Sequence, residues 1–301
     1  MRIQVASPCY LQLGFARAVD GNLGELGIAL QHPPIHLAAQ PAEQLLVSGA
    51  RADVAYRAAA RYLAQLGAPV GSQVEIELAI PAFMGLGSDG MLRISVEQAL
   101  RHMLRATEAP AAETPAVDPF YRAFERGGLL FVSPQGKLIR RAAIEHADEE
   151  DDWVFVLVLP HAPDDVAEDD ELQRRRALRD AAGRLSSSVT ADALFAAVER
   201  DDFDAFAGAL TAIHAANEAA LSADGRPAAL GEEERDILAC MRAGGAAFAG
   251  RALTGLGLLG LIKGGPASRA LRQALVRRLG YFGPSVMASI CDNRGARVIT
   301  G

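Results

Sequence analysis

The sequence predicts a mixed α+β protein, and three observations carry that prediction. Val74, Ile76, Leu78 and Ile80 alternate with Gln73, Glu75, Glu77 and Ala79, as in a strand with one buried face. Leu92, Val96, Ala99 and Met103 follow at helical spacing. From about residue 171 to 278 the apolar pattern is mostly helical. A chain of 301 residues, 50% hydrophobic, can bury a large core, most simply as two closely joined domains.

Met1 to Val5 reads as a first strand, Gly21 to Gly27 as a glycine-rich turn, and Leu26 to Leu30 as the start of a second strand. Leu37 to Val47 is expected to pair as a hairpin. Val54, Ala58, Tyr62 and Leu66 mark a helix that stops at Gly67, as a C-cap would. The helix carrying Leu92 to Met103 is expected to be capped by Ser88. Residues 107–119, rich in Pro, Ala and acid, read as an excursion. Leu129 to Val132 and Trp153 to Leu159 are strands, the second apolar enough to be buried on both faces.

An acidic loop over 161–170 leads to helices at Glu171–Leu185, Ala191–Glu199, Phe203–Ala220, Glu232–Gly244 and Ser268–Arg278. Val286 to Ile290 and Arg297 to Ile299, around Asp292-Asn293-Arg294-Gly295, suggest a terminal hairpin. No internal repeat is visible.

A formal net charge of −7 disfavours binding to a nucleic-acid backbone. Arg174-Arg175-Arg176 with Arg179 is the most basic segment, but it follows the acidic run Asp164 to Glu171. The two read as a solvated, self-compensating surface. Cys9, Cys240 and Cys291 are distant in sequence and odd in number, which argues against a disulfide framework. The N-terminus lacks the pattern of a signal peptide, and Ala252 to Ile262 is too short to span a bilayer, so a cytoplasmic location is expected. Six histidines show no metal-like spacing except the pair His32 and His36. That pair straddles Pro33-Pro34 and cannot share a helical face.

Chemistry is most legible at Ile80 to Gly90, IPAFMGLGSDG, between a strand and a helix. A helix N-terminus exposes unpaired N–H groups and the positive end of the macrodipole. Gly85, Gly87 and Gly90 let that backbone approach an oxyanion, and Ser88 adds a hydroxyl. The loop is neither a P-loop nor a dinucleotide fingerprint. Asp89 suits the first turn of a helix but places negative charge where a phosphate would sit. At about 4 Å two like charges repel by about 1 kcal/mol even in bulk water. A bound Mg²⁺ between them, held by Ser88 and Asp89, or an Asp89 that points away, would reconcile the two.

Pro81-Ala-Phe-Met-Gly85-Leu86-Gly87-Ser88 resembles the central motif of the GHMP kinase superfamily. Other segments are similar to one branch, the β-ribofuranosylaminobenzene 5′-phosphate synthases: Ala6 to Leu30, Phe124-Glu125-Arg126-Gly127-Gly128, Trp153 to Pro160, Val198 to Leu210 and Tyr281 to Ser285. The likeness runs, with gaps, from about Met1 to Ile290. It implies an N-terminal domain over 1–160 like domain 2 of ribosomal protein S5, and a ferredoxin-like α+β domain over 161–301. It also implies a homodimer.

The implied activity joins the sugar of phosphoribosyl pyrophosphate to a 4-hydroxy- or 4-aminobenzoate with loss of carbon dioxide and pyrophosphate, in methanopterin biosynthesis. The expected partners are a phosphorylated small molecule and an aromatic acid, without nucleic acid or membrane.

The binding residues expected on this reading are Gln12, Gly14, Gly85, Leu86, Gly87, Ser88, Asp89, Gly90, Arg126, Gly127, Gly283 and Ser285, with no catalytic residue singled out. Arg122, Glu125 and Arg126 fit either an anion contact or a solvated helix end. Gly283-Pro284-Ser285 fits either a second cradle or a plain turn. Tyr10-Leu11-Gln12 stands where the branch has Arg-Leu-His, and Ala82, Phe83 and Met84 are apolar where it often has acid and histidine. Two alternatives therefore stay open: an ATP-dependent small-molecule kinase, and a non-catalytic ligand-binding or oligomeric protein of the same fold.

Overall fold

The computed structural model describes residues 1–67, 71–104, 118–161, 170–186, 188–223, 230–280 and 283–301. Two antiparallel-dominated sheets organise it. The first strands, β1 (Ile3–Arg17) and β2 (Leu23–Ala42), are long and pair along nearly their whole length, with bulges after Ser7 and Gln12. Chain order then gives β3 (Leu46–Gly49), α1 (Ala52–Leu66), β4 (Gly71–Leu78), α2 (Ser88–Leu104), α3 (Pro119–Arg126), β5 (Leu129–Val132) and β6 (Leu138–Ala142). α1 ends at Gly67 in the left-handed region (φ 60°), as its position past the last apolar residue predicts. The remainder is β7 (Trp153–Leu159), α4 (Asp170–Ala182), α5 (Asp192–Glu199), α6 (Phe203–Ser222), α7 (Glu232–Ala243), β8 (Phe248–Arg251), β9 (Leu258–Lys263), α8 (Gly265–Leu279), β10 (Ser285–Ser289) and β11 (Arg297–Thr300).

The seven-stranded sheet runs β11-β1-β2-β4-β3, with β5 and β6 branching from β2. The four-stranded sheet runs β10-β7-β9-β8, all antiparallel, which is the strand order of a ferredoxin-like βαββαβ unit with α4 to α7 in its first connection. β7 shows why its sequence is unbroken hydrophobic. Trp153, Phe155, Leu157 and Leu159 pack into the large core shared with the first sheet, while Val154, Val156 and Val158 face a second core with α7 and α8. The last strand before residue 160 thus belongs to the four-stranded sheet, and β11 returns to the seven-stranded one.

Both expected hairpins are corrected. Leu37 lies inside β2, whose edge is already taken by β4, and β3 passes beyond it to pair with β4 in parallel through α1. β10 pairs with β7 whereas β11 pairs with β1, because the Asp292–Gly295 turn carries the chain from one sheet to the other. That turn is pinned by the Gly128 N–H donating to the Asp292 carbonyl. β6, β8 and β9 had no expectation at all. The excursion at 107–119 and the acidic loop at 161–170 fall mostly outside the described residues. Cys9, Cys240 and Cys291 are free thiols. No described helix is long and apolar enough to cross a membrane.

Candidate anion-binding site

β4 delivers the chain into a loop that two neighbours grip from opposite sides. The Tyr10 N–H donates to the Leu86 carbonyl (3.0 Å), and the Leu256 N–H donates to the Phe83 carbonyl (2.9 Å). Gly85 and Gly87 both have positive φ (76° and 67°). A Cβ on Gly85 would lie 2.5 Å from the Ala252 methyl, and one on Gly87 would lie 2.8 Å from the Phe120 ring. The glycines therefore serve a close approach of three segments as well as a turn. The segment Thr254-Gly255-Leu256-Gly257 interlocks so tightly that a Cβ on Gly255 would reach 2.1 Å from the Gly85 nitrogen. Sequence reading missed this partner; its signal was the second closely spaced glycine pair.

α2 begins at Ser88, whose hydroxyl does not cap the helix as expected. It donates to Glu171 Oε2 (3.0 Å) and to Asp89 Oδ1 (3.2 Å). The Gly87 N–H donates to Glu171 Oε1 at 2.7 Å. One carboxylate, from the first turn of α4, thus takes two of the donors at the helix N-terminus. Asp89 turns its charge to Arg51, whose Nη2 lies 2.5 Å from Oδ1. Burial pushes the Glu171 carboxyl up to about 7. The Asp89 charge pushes the same way, against the Gly87 N–H, the Ser88 hydroxyl and Arg51.

One helical turn beyond Glu171, Arg175 is 8% exposed and donates through Nε and Nη2 to Glu25 Oε2 (3.2 and 2.9 Å). The Tyr10 hydroxyl donates to the other Glu25 oxygen (3.1 Å), and burial, then the Glu25 charge, holds that phenol well above its usual range. Arg174 lies over the Phe83 ring and Arg175 over that of Phe120, each with its guanidinium carbon 4.4 Å from the centroid. Arg174 and Arg175 are therefore not part of a solvated surface, whereas Arg176 and Arg179 are exposed as expected. Glu25, 150 residues away, supplies the partner that sequence spacing could not reveal.

The expected site residues separate into four groups. Gly85 to Gly90 form the loop, with Gly90 against Phe120. Gln12 lies two residues along β1 from the Tyr10 contact, 4% exposed, with neither amide atom hydrogen-bonded. Gly14 sits in the bulge against Asn217, which bridges the Phe15 N–H and carbonyl and is fully satisfied. Arg126 and Gly127 instead meet the Asp292–Gly295 turn: Gly127 packs on the Asp292 carbonyl, and Arg126 pairs with Glu125 in the open. Ser285 is exposed at the start of β10, and Gly283 packs on Leu279. No described hydrogen bond joins Gly283 or Ser285 to the loop.

Ser88, Asp89 and Glu171 are oxygen donors of the kind Mg²⁺ takes. They do not fit a resident ion as they stand, since Arg51 grips the Asp89 oxygen nearest Ser88 and a backbone N–H holds Glu171. Among the described residues no group of three metal-ligating side chains occurs.

No family model matches the chain, and no curated protein matches it in sequence. Solved structures do. A galactokinase from Lactococcus lactis complexed with galactose superposes with a TM-score of 0.66 at 15% identity, covering 98% of this chain and 95% of that one. A homoserine kinase from Cytophaga hutchinsonii gives 0.63 at 17%, covering 99% and 97%. The mevalonate kinase of Methanococcus jannaschii gives 0.58 at 13%, covering 96% and 98%. At these identities the likeness is one of fold, over essentially the whole length: the chain has the two-domain fold of the GHMP-superfamily kinases.

Proposed function

We propose that this chain is a transferase that holds a phosphorylated small molecule at the Gly85–Gly90 loop. The observation that carries the reading is the pair of donors at the start of α2. The Gly87 N–H and the Ser88 hydroxyl converge on a single anionic group, here Glu171, with the geometry a phosphate would use. Two glycines held at positive φ by neighbouring segments make the cradle rigid, and Arg51 offsets the Asp89 charge beside it. In its finer form the donor is phosphoribosyl pyrophosphate and the acceptor a 4-hydroxy- or 4-aminobenzoate. That form rests on the collinear resemblance of the sequence segments. Mg²⁺ would then arrive as counter-ion of the pyrophosphate.

A second reading, an ATP-dependent small-molecule kinase, is favoured by the fold neighbours, which are named as kinases of homoserine, galactose and mevalonate. A thermal-shift series with Mg²⁺ and phosphoribosyl pyrophosphate, ATP or benzoates separates them. Stabilisation by phosphoribosyl pyrophosphate and not by ATP is the expected result. Stabilisation by ATP alone would select the kinase, and no shift with any compound would select a non-catalytic protein.

A further inference from the structure

α4 meets the loop region through an acid and a base one turn apart. Glu171 accepts from the Gly87 N–H and the Ser88 hydroxyl, while Arg175 is locked to Glu25 and covered by Phe120. The two contacts differ in kind. Arg175 and Glu25 are opposite charges in direct contact, with side chains 10% and 4% exposed. Among the described residues Glu171 accepts from these neutral donors, and the charges acting on it are Asp89, which repels it, and Arg51, which is bonded to Asp89.

Two residues along β1 from the Tyr10 contact with the loop, the Gln12 amide is buried with donor and acceptor both unsatisfied. A di- or polyphosphate carries more charge than one carboxylate and makes stronger charge-assisted bonds to the same donors.

We propose that Glu171 is a built-in competitor for the anion site: its carboxylate fills the Gly87 and Ser88 donors, and a ligand with a di- or polyphosphate end enters only as Glu171 swings out, while Arg175 keeps α4 docked on Glu25. This rests on the reading that the loop takes phosphate. Closure by an internal carboxylate keeps water from the donors until such a ligand displaces it.

The test is calorimetric titration of magnesium pyrophosphate into the wild type, Glu171→Gln and Glu171→Ala, with Glu232→Gln, an exposed acid on α7, as control. Glu171→Gln keeps the size of the side chain and guards against a folding defect in the alanine variant. The expected result is binding about tenfold tighter in both Glu171 variants and unchanged in the control. In wild type, pyrophosphate is expected to speed amide exchange in the first turn of α4.

Equal affinity in wild type and both Glu171 variants would overturn the competitor and leave the phosphate reading standing. Weaker binding in the Glu171 variants would make Glu171 a ligand contact, and would overturn the competitor as well. Absence of pyrophosphate binding in every protein would overturn the phosphate reading, and the competition with it.

Discussion

Two carboxylates at the α4 contact are treated in opposite ways. Glu25 is buried against the Arg175 guanidinium and the Tyr10 hydroxyl, so its charge is met by a cation and a donor. Glu171 is half-buried against a backbone N–H and a serine hydroxyl, with no ion pair among the described residues. The difference separates a structural charge from a displaceable one. Removing a partner from the first leaves a stranded ion, whereas removing the second relieves a charge that burial already disfavours.

The largest expected effect comes from breaking the paired side. Arg175→Ala is expected to cost about 3–5 kcal/mol in urea unfolding, because Glu25 stays buried without its cation. The double variant Arg175→Met with Glu25→Gln is expected to recover most of that loss. Equal losses in the two proteins would mean that packing, and not the ion pair, holds α4.

Next is Gly85→Ala, where a Cβ would strain a φ of 76° and press on Ala252. A loss of about 2–3 kcal/mol is expected, measurable in the same unfolding experiment. A near-neutral result would show that the loop yields more than its interlock with Gly255 implies.

The Glu171 side gives a smaller, pH-dependent effect. Its carboxyl titrates near 7 in the folded chain against an ordinary 4.5, so the native state holds the proton more tightly. Stability therefore falls as pH rises from about 4.5 through 7, and Glu171→Gln removes that fall. Solvent screens a half-buried group, so the variant is expected to gain about 1–2 kcal/mol over wild type at pH 8 and little at pH 5. Parallel pH profiles would contradict the raised carboxyl. Smallest is Asp89→Asn, which loses a pair to Arg51 with side chains 31% and 17% exposed and is expected to cost under about 1 kcal/mol.

Much of the fold was legible because local period decides it. Val54 to Leu66, Val74 to Leu78 and the stripe Leu92 to Met103 each lie inside the expected element, although the strand stops short of Ile80, and Gly67 and the glycine loop mark the changes of direction. What was not legible depends on distant partners. Val286–Ile290 and Arg297–Ile299 look like a hairpin until β1 offers a free edge to the second of them. β9, at Leu258–Lys263, has almost every side chain buried, so its sequence shows no alternation to read.

The loop at residues 85–90 was visible as a candidate cradle, and the charge on Asp89 was visible beside it. Neither Arg51, which faces Asp89, nor Glu171, which fills the donors, carries a local signal linking it to the loop. The same holds for Arg175, which looked solvated only because Glu25 lies on β2, 150 residues away.

The most direct test of the filled cradle is the pH titration of the Gly87 amide by ¹⁵N NMR in wild type and Glu171→Gln. The account predicts a shift with a midpoint near 7 in wild type, reporting the carboxylate 2.7 Å away, and its loss in the variant. A Gly87 resonance that is flat between about pH 5 and 8, or that titrates identically in both proteins, would contradict it.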